Sequence, residues 1–256
     1  MSEDKTGEID AALARRIAET AGELLLTLRR SGLFEGKALG KAGDRTANAF
    51  IIEALRHARP DDAILSEEEK DSAERLDAKR VWIVDPLDGT REYGEGRDDW
   101  AVHVALAVDG KPEVGAVALP GVPLTLCTAG CPPAPEAAEK LRMLVSRTRP
   151  AAEAVSVAGS LDADLVPMGS AGAKAMAVVR GQADIYLHTG GQYEWDSCAP
   201  VAVAKAAGLH VSRVDGSPLI YNGENPYMPD LLICRPELAE KILRLTKEAA
   251  ARATSA

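Results

Sequence analysis

Aromatic residues are scarce in this 256-residue chain: they make up 4% of it, with only two phenylalanines. The interior must therefore be largely aliphatic. The 46% apolar content suffices for a substantial core, in one large domain or two closely apposed halves. Basic residues are in deficit, 30 against 39 acidic ones, for a net charge of −9. That balance sets aside nucleic acid and anionic membrane, partners held by bulk positive charge. Cys127, Cys131, Cys198 and Cys234 are too few for a disulfide scaffold and lack the company of a zinc site, so reduced thiols are expected. No apolar run approaches the ~18 residues of a membrane span, and the Met1–Lys5 start is polar and acidic, unlike a signal peptide; the expected location is the cytoplasm. Internal repeats, a P-loop, a GxGxxG fingerprint and a recognisable Ser or Cys nucleophile motif are all missing.

Apolar residues at helical spacing (Ile9, Leu13, Ile17, Leu24, Leu25, Leu28) predict a first helix, stopped by Ser31-Gly32. A second helix is expected over Ala47–Arg59. Strands are then predicted at Ala63–Ser66, Arg80–Val84, Trp100–Val108, Glu113–Leu119 and Leu124–Thr128, with Asp109-Gly110 as a hairpin turn. The Pro-rich stretch Ala129–Glu139 is the candidate boundary between an N-terminal half, 1–135, and a C-terminal half, 136–256. Beyond it, strands are expected at Met143–Ser146, Val155–Ala158, Ala183–His188 and Leu231–Cys234. Helices are expected at Ala171–Arg180, from Asp196 to Ala207, and from Pro236 onward. Pattern alone licenses an α/β or α+β fold.

The most informative stretch is Arg80-Val81-Trp82-Ile83-Val84-Asp85-Pro86-Leu87-Asp88-Gly89-Thr90. A β-branched strand ends there in two carboxylates, a glycine and a hydroxyl. Asp85 and Asp88 can face one cation across a Pro86-fixed turn, while Gly89 and Thr90 can aim backbone N–H groups at an anion. Either aspartate alone reads as an ordinary turn residue. Glu67, closing the apolar run before it, and Asp196, in Glu194-Trp195-Asp196-Ser197, supply two more acidic ends. Glu69 reads as a solvated loop residue and Glu68 as a neighbour of the site. Carboxylates gathered without a cation would repel one another, and oxygen-only ligands favour Mg²⁺ over zinc or copper. Asp196 also suits a helix N-cap, a role that can coexist with ligation.

These motifs resemble the inositol-monophosphatase-like, Mg²⁺-dependent, lithium-sensitive phosphatases, defined by Glu-Glu, Asp-Pro-x-Asp-Gly-Thr and Trp-Asp elements. The resemblance runs from about Asp10 to Arg235. The continuation Arg91-Glu92-Tyr93 is similar to the CysQ-type 3′(2′),5′-bisphosphate nucleotidase branch. The resemblance implies a layered α-β-α-β-α sandwich, of the inositol monophosphatase/fructose-1,6-bisphosphatase type, and two or three Mg²⁺ ions. One ion would be held by Glu67, Asp85 and the Leu87 carbonyl, another by Asp85, Asp88 and Asp196. Asp44 and Thr90, with Glu67, form the implied catalytic set: a hydroxyl orders the attacking water and a carboxylate draws off its proton. Asp44 sits in Gly40-Lys41-Ala42-Gly43-Asp44, a departure from the family's Val-Thr-x-Ala-Asp, and competes with an N-cap role for the Ala47–Arg59 helix. Trp195-Asp196-Ser197-Cys198-Ala199-Pro200 departs from Trp-Asp-x-Ala-Ala-Gly. Substrate contacts are expected from Gly89, Thr90, Arg91, Ser170, Lys174 and His188, with Arg91 and Lys174 as donors to a second phosphate. His57, His103 and His210 read as packing or surface residues.

The implied reaction is removal of the 3′-phosphate of 3′-phosphoadenosine 5′-phosphate, which supports sulfate assimilation. The rivals are an inositol monophosphatase, a fructose-1,6-bisphosphatase, and a catalytically dead nucleotide-binding relative. Oligomeric state stays open, a homodimer included.

Overall fold

The computed structural model describes residues 3–136 and 139–254. Helix α1 (Glu3–Arg30) and helix α2 (Gly36–Ala58) lie on one face of a five-stranded sheet. Its strands run in the order β1 (Ala63–Ser66), β2 (Arg80–Asp88), β3 (Ala101–Val108), β4 (Lys111–Leu119), β5 (Leu124–Cys127). β1 and β2 are parallel and the rest antiparallel. A short 3-10 helix, Ala73–Asp77, links β1 to β2, and α3 (Thr90–Gly94) follows β2. The second half contributes β6 (Arg142–Ser146), α4 (Ala152–Leu161), β7 (Asp164–Met168), α5 (Ala171–Val179), β8 (Ile185–His188), β9 (Gln192–Tyr193), α6 (Glu194–Ala206), β10 (His210–Ser212), β11 (Tyr227–Met228), β12 (Leu231–Cys234) and α7 (Pro236–Thr254). Its main sheet has the order β10-β12-β8-β6-β7, while β9 and β11 form a separate small ribbon.

Both large sheets are buried on both faces, and the period-2 alternation of each strand assigns its residues to two different cores. Along β2, Trp82 and Val84 face α1 and α2, whereas Val81 and Ile83 join a cluster shared with α5 and α6. Leu144, Tyr186 and Ile233 of the second sheet reach that same central cluster from the opposite side. Met143, Ile185 and Leu232 turn outward to α4 and α7. The result is five layers, α1/α2, sheet, α5/α6, sheet, α4/α7, as the resemblance implies. Each fully buried Leu, Ile or Val contributes ~1.5–3 kcal/mol, so an aromatic-poor chain still has an ample core. The four cysteines are unpaired; Cys131 is half-buried and the other three are buried. Among the described residues no helix is long and apolar enough to cross a membrane.

Several elements differ from the sequence reading. Helix α2 begins at Gly36 rather than Ala47, which places Asp44 inside the helix and removes its N-cap role. Gly40 and Gly43 weaken the helical signal, but they serve a close approach. A Cβ on Gly40 would lie 2.7 Å from Thr90 Cγ2, and one on Gly43 2.9 Å from Leu87 Cδ2. Val155–Ala158 is helical within α4, because a four-residue apolar window does not distinguish the two periods. Strand β7 escaped notice because it carries Pro167. Proline is tolerated there since β7 is an edge strand. β2 itself continues past Val84, through an irregularity between Asp85 and Asp88. Residues 137 and 138, in the expected boundary segment, lie outside the described residues.

Candidate metal and phosphate site

The carboxyl end of β2 meets the N-terminal turns of α5 and α6 at the junction of the two sheets. Carboxylate oxygens of Asp85, Asp88 and Asp196 come within 4.8 Å of one another. Glu67 follows β1, anchored by its N–H to the Val84 carbonyl at 3.3 Å, and adds its charge from the exposed rim. Burial first, then the neighbouring carboxylates, pushes Asp85 well above the usual carboxyl range. The same two causes raise Glu67 to about 7 and Asp196 to about 6. Glu67 is exposed over the residue as a whole, and the burial that raises it is local to its carboxyl end. Among the described residues no Lys or Arg stands within ion-pair distance of Asp44, Glu67, Asp85 or Asp196. Such a set fits an oxygen-preferring dication, whose charge would relieve the repulsion.

Asp88 is held differently. Burial alone would raise it, but His103, the Gly172 N–H and Lys174 outweigh burial and keep it below the ordinary range. Its oxygens accept from Ala171 N (3.1 Å) and Gly172 N (2.5 Å), in the first turn of α5. His103 is fully buried, with Nε2 3.2 Å from Asp88 Oδ2, an ion-pair contact with poor hydrogen-bond alignment. Its Nδ1 lies 3.0 Å from the Trp195 carbonyl oxygen. Both ring nitrogens face oxygens, and the Asp88 contact favours the charged ring. Burial opposes that charge, and the Asp88 contact overcomes it. This histidine, read from sequence as a packing or surface residue, instead joins the segment of Asp88 to that of Asp196. No local pattern on β3 marks it. Gly172 makes room for it, since a Cβ there would sit 2.0 Å from Nε2.

Thr90 caps the turn. Its Oγ1 is 3.3 Å from Asp44 Oδ1 and 3.2 Å from the Leu87 carbonyl, so its single proton serves one acceptor while the oxygen's lone pairs face outward. Burial, then Glu68, raises Asp44 to about 7. Gly89 takes the left-handed conformation, φ +89°, that turns the chain from β2 into α3. A cleft of about 500 Å³ opens alongside, with Lys37, Lys41, Asp44, Thr90 and Arg91 in its wall.

The remaining expected substrate contacts are engaged within the protein. Ser170 is the N-cap of α5, accepting from Ala173 N at 2.9 Å. Lys174 is buried, not solvent-facing, and donates to the carbonyls of Gly169 and Ser170. Arg91 is exposed and paired with Glu95 at 2.8 Å. His188 is partly buried and in contact with the Gly191 carbonyl at 3.0 Å. The helix entry at Gly169–Lys174 thus spends its first-turn N–H groups on Asp88 and Ser170. Glu194, fully buried, was missed as well: it accepts from Asn222 N (2.6 Å) and Gly223 N (2.8 Å). Arg75 binds the same loop through Asn222 Oδ1 and the Gly223 carbonyl.

Comparison with known proteins finds relatives over nearly the whole chain. The inositol monophosphatase family model matches residues 8–251. The chain is 49% identical to a 3′-phosphoadenosine 5′-phosphate phosphatase of Mycobacterium leprae, over 93% of this chain and 94% of that protein. It is 33% identical to the 3′(2′),5′-bisphosphate nucleotidase CysQ of Escherichia coli, over 73% of this chain and 81% of that one. Among solved structures, CysQ from Bacteroides thetaiotaomicron superimposes with a TM-score of 0.79 at 25% identity, covering 88% of this chain and 97% of that one. With the carboxylate cluster in place and the match spanning nearly all of its length, the chain belongs to the inositol monophosphatase family.

Proposed function

We propose that this protein is a Mg²⁺-dependent phosphatase that removes the 3′-phosphate of 3′-phosphoadenosine 5′-phosphate. The observation that carries the reading is the gathering of Asp85, Asp88 and Asp196, within 4.8 Å of one another, beside the Asp44–Thr90 pair. The relatives named for this activity supply the substrate. Glu67, Asp85, Asp88, Asp196 and the Leu87 carbonyl would hold the metal. When bound it would lower the pKa of water and offset charge on the phosphate.

The chain's own residues then account for the proton. A water that donates to Thr90 Oγ1 is oriented by a hydroxyl whose own proton lies toward Asp44 or the Leu87 carbonyl. As the water oxygen bonds to phosphorus and the bond to the 3′ oxygen breaks, the water's proton passes toward Asp44. A carboxyl raised to about 7 suits that exchange near neutral pH. The leaving 3′ oxygen takes its proton from solvent. No phosphoenzyme forms.

The test is phosphate release from 3′-phosphoadenosine 5′-phosphate, inositol 1-phosphate and fructose 1,6-bisphosphate, with Mg²⁺ and with excess chelator. The bisphosphate nucleotide should be preferred, and chelation should abolish turnover. Preference for inositol 1-phosphate would overturn the substrate assignment, and full activity in chelator would overturn the metal dependence.

A further inference from the structure

Half of the ten aromatic rings of this chain are inside: Trp82, Trp100, Tyr93, Tyr186 and Tyr221 are fully buried. Three are exposed, Phe34, Tyr193 and Tyr227, and the last two touch each other. Tyr193 is 45% and Tyr227 46% exposed. Their rings meet nearly at right angles, 81° with centroids 6.0 Å apart, and Tyr193 lies flat on Trp195, 8° and 4.8 Å. Single exposed tyrosines need no explanation, but a stacked and cornered group that leaves ring surface to water does.

The placement of this corner is set by the site. Tyr193 N–H donates to Asp196 Oδ2 at 2.6 Å, so its ring lies no further from a metal-site carboxylate than one tyrosine side chain reaches. Pairing of β9 with β11 puts Tyr227 opposite Tyr193. Gly191 lets the Tyr227 ring approach, since a Cβ there would lie 2.2 Å from its Oη. Glu194 and Arg75 tether the loop that leads into Tyr227. The corner is therefore held in place from beneath rather than hanging on a free loop.

We propose that Tyr193 and Tyr227 form the shelf on which the planar base of the nucleotide substrate stacks while its 3′-phosphate lies at the carboxylate cluster. The proposal rests on the nucleotide reading above and adds how the site tells a nucleotide from a cyclitol phosphate. A base offers a π-face to an aromatic shelf, and inositol has none. Stacking is indifferent to base identity, so the shelf selects for the presence of a base.

Two measurements test it. The first compares kcat/KM for 3′-phosphoadenosine 5′-phosphate with that for the same sugar bisphosphate lacking its base, 1,4-anhydroribitol 3,5-bisphosphate. In Tyr193→Ala the ratio should fall about tenfold or more, the scale of a lost base stack, with the loss in KM. Tyr193→Phe, which keeps the ring, should restore it. The second is equilibrium titration with adenosine 5′-phosphate, which needs no turnover: Tyr193→Ala should bind about tenfold more weakly and Tyr193→Phe like the wild type. Tyr227→Ala should move both readouts the same way. Equal losses on both substrates, an unchanged ratio, or failure of the Phe variant to rescue would overturn the shelf. If the wild type does not hydrolyse the nucleotide, the functional reading falls, and the titration still decides the shelf by itself.

Discussion

The two ends of β2 carry the same kinds of residue and treat charge in opposite ways. At its start, Arg80 binds Asp62 (2.8 Å) and Asp10 (2.9 Å), Arg59 binds the other oxygen of Asp10 (2.7 Å), and Trp82 Nε1 donates to Asp62 (2.8 Å). Two carboxylates meet two guanidiniums, and α1, α2 and the sheet are pinned together. At its far end Asp85 faces other carboxylates, and its nearest help is the Leu87 N–H at 3.0 Å. Balanced buried charge serves the fold, whereas surplus buried charge of one sign is a cost the fold bears for a ligand that is not protein.

The largest effect expected from breaking this contrast is at the surplus end. Asp85→Asn should lower kcat by two orders of magnitude or more, as loss of an electrostatic catalytic element does. The same substitution should raise the melting temperature of the metal-free protein, because it removes a repelled charge while Asn Oδ1 can still accept from Leu87 N. A thermal scan in chelator beside the rate assay checks both, and a lower melting temperature would mean the carboxylates do not repel.

At the balanced end the outcome should reverse. Arg80→Ala leaves part of Asp10 and Asp62 uncompensated and should destabilise the protein by ~3 kcal/mol, at the low end for a broken buried pair because Arg80 is partly exposed. The activity of each folded molecule should persist. Chemical denaturation with activity normalised to folded fraction reads this directly.

Acidity sharpens the comparison further. Asp44 and Glu67 are raised to about 7 and Asp196 to about 6. Between the ordinary carboxyl range and those values, the metal-free folded state holds protons that the unfolded chain has released. Its stability should therefore fall as pH rises through that window, with Asp85, raised well above the usual range, adding to the fall. Mg²⁺, which needs the ionised forms, should add much more to the melting temperature at pH 8 than at pH 5, with ~2–4 °C for each kcal/mol at this chain length. Equal Mg²⁺ shifts at both values would show that Glu67 and Asp196 do not bind the ion.

The smallest effect should come from Arg91→Ala. Arg91 and Glu95 form an exposed i,i+4 pair, the kind that solvent screens to almost nothing. Stability and the KM for the bisphosphate nucleotide should both move less than twofold. A larger KM change would return Arg91 to substrate binding.

Much of this protein was legible in its sequence because strand alternation and short motifs are local. Alternation in Arg80–Val84 and Trp100–Val108 marked strands, and the Asp85–Thr90 run announced both chemistry and family within a few residues. What escaped depended on partners remote in the chain. His103 is one buried residue on an alternating strand until folding sets it between Asp88 and the Trp195 carbonyl. Lys174 carries a charge that suggests a phosphate, but the turn of α5 folds it back onto the Gly169 and Ser170 carbonyls. Asp44, read as catalytic, kept an N-cap role as a competitor because Gly40 and Gly43 dilute the helical signal, and only the contact with Thr90 and Leu87 shows what those glycines are for. Sequence by itself determined the α/β class, the family motifs and the acidic residues that follow β1, end β2 and open α6, since periodicity and motif are properties of neighbouring residues. Tertiary structure alone decided which charges are balanced, which are left in surplus, and where two tyrosines meet beside them, because electrostatics and stacking act through distance in space.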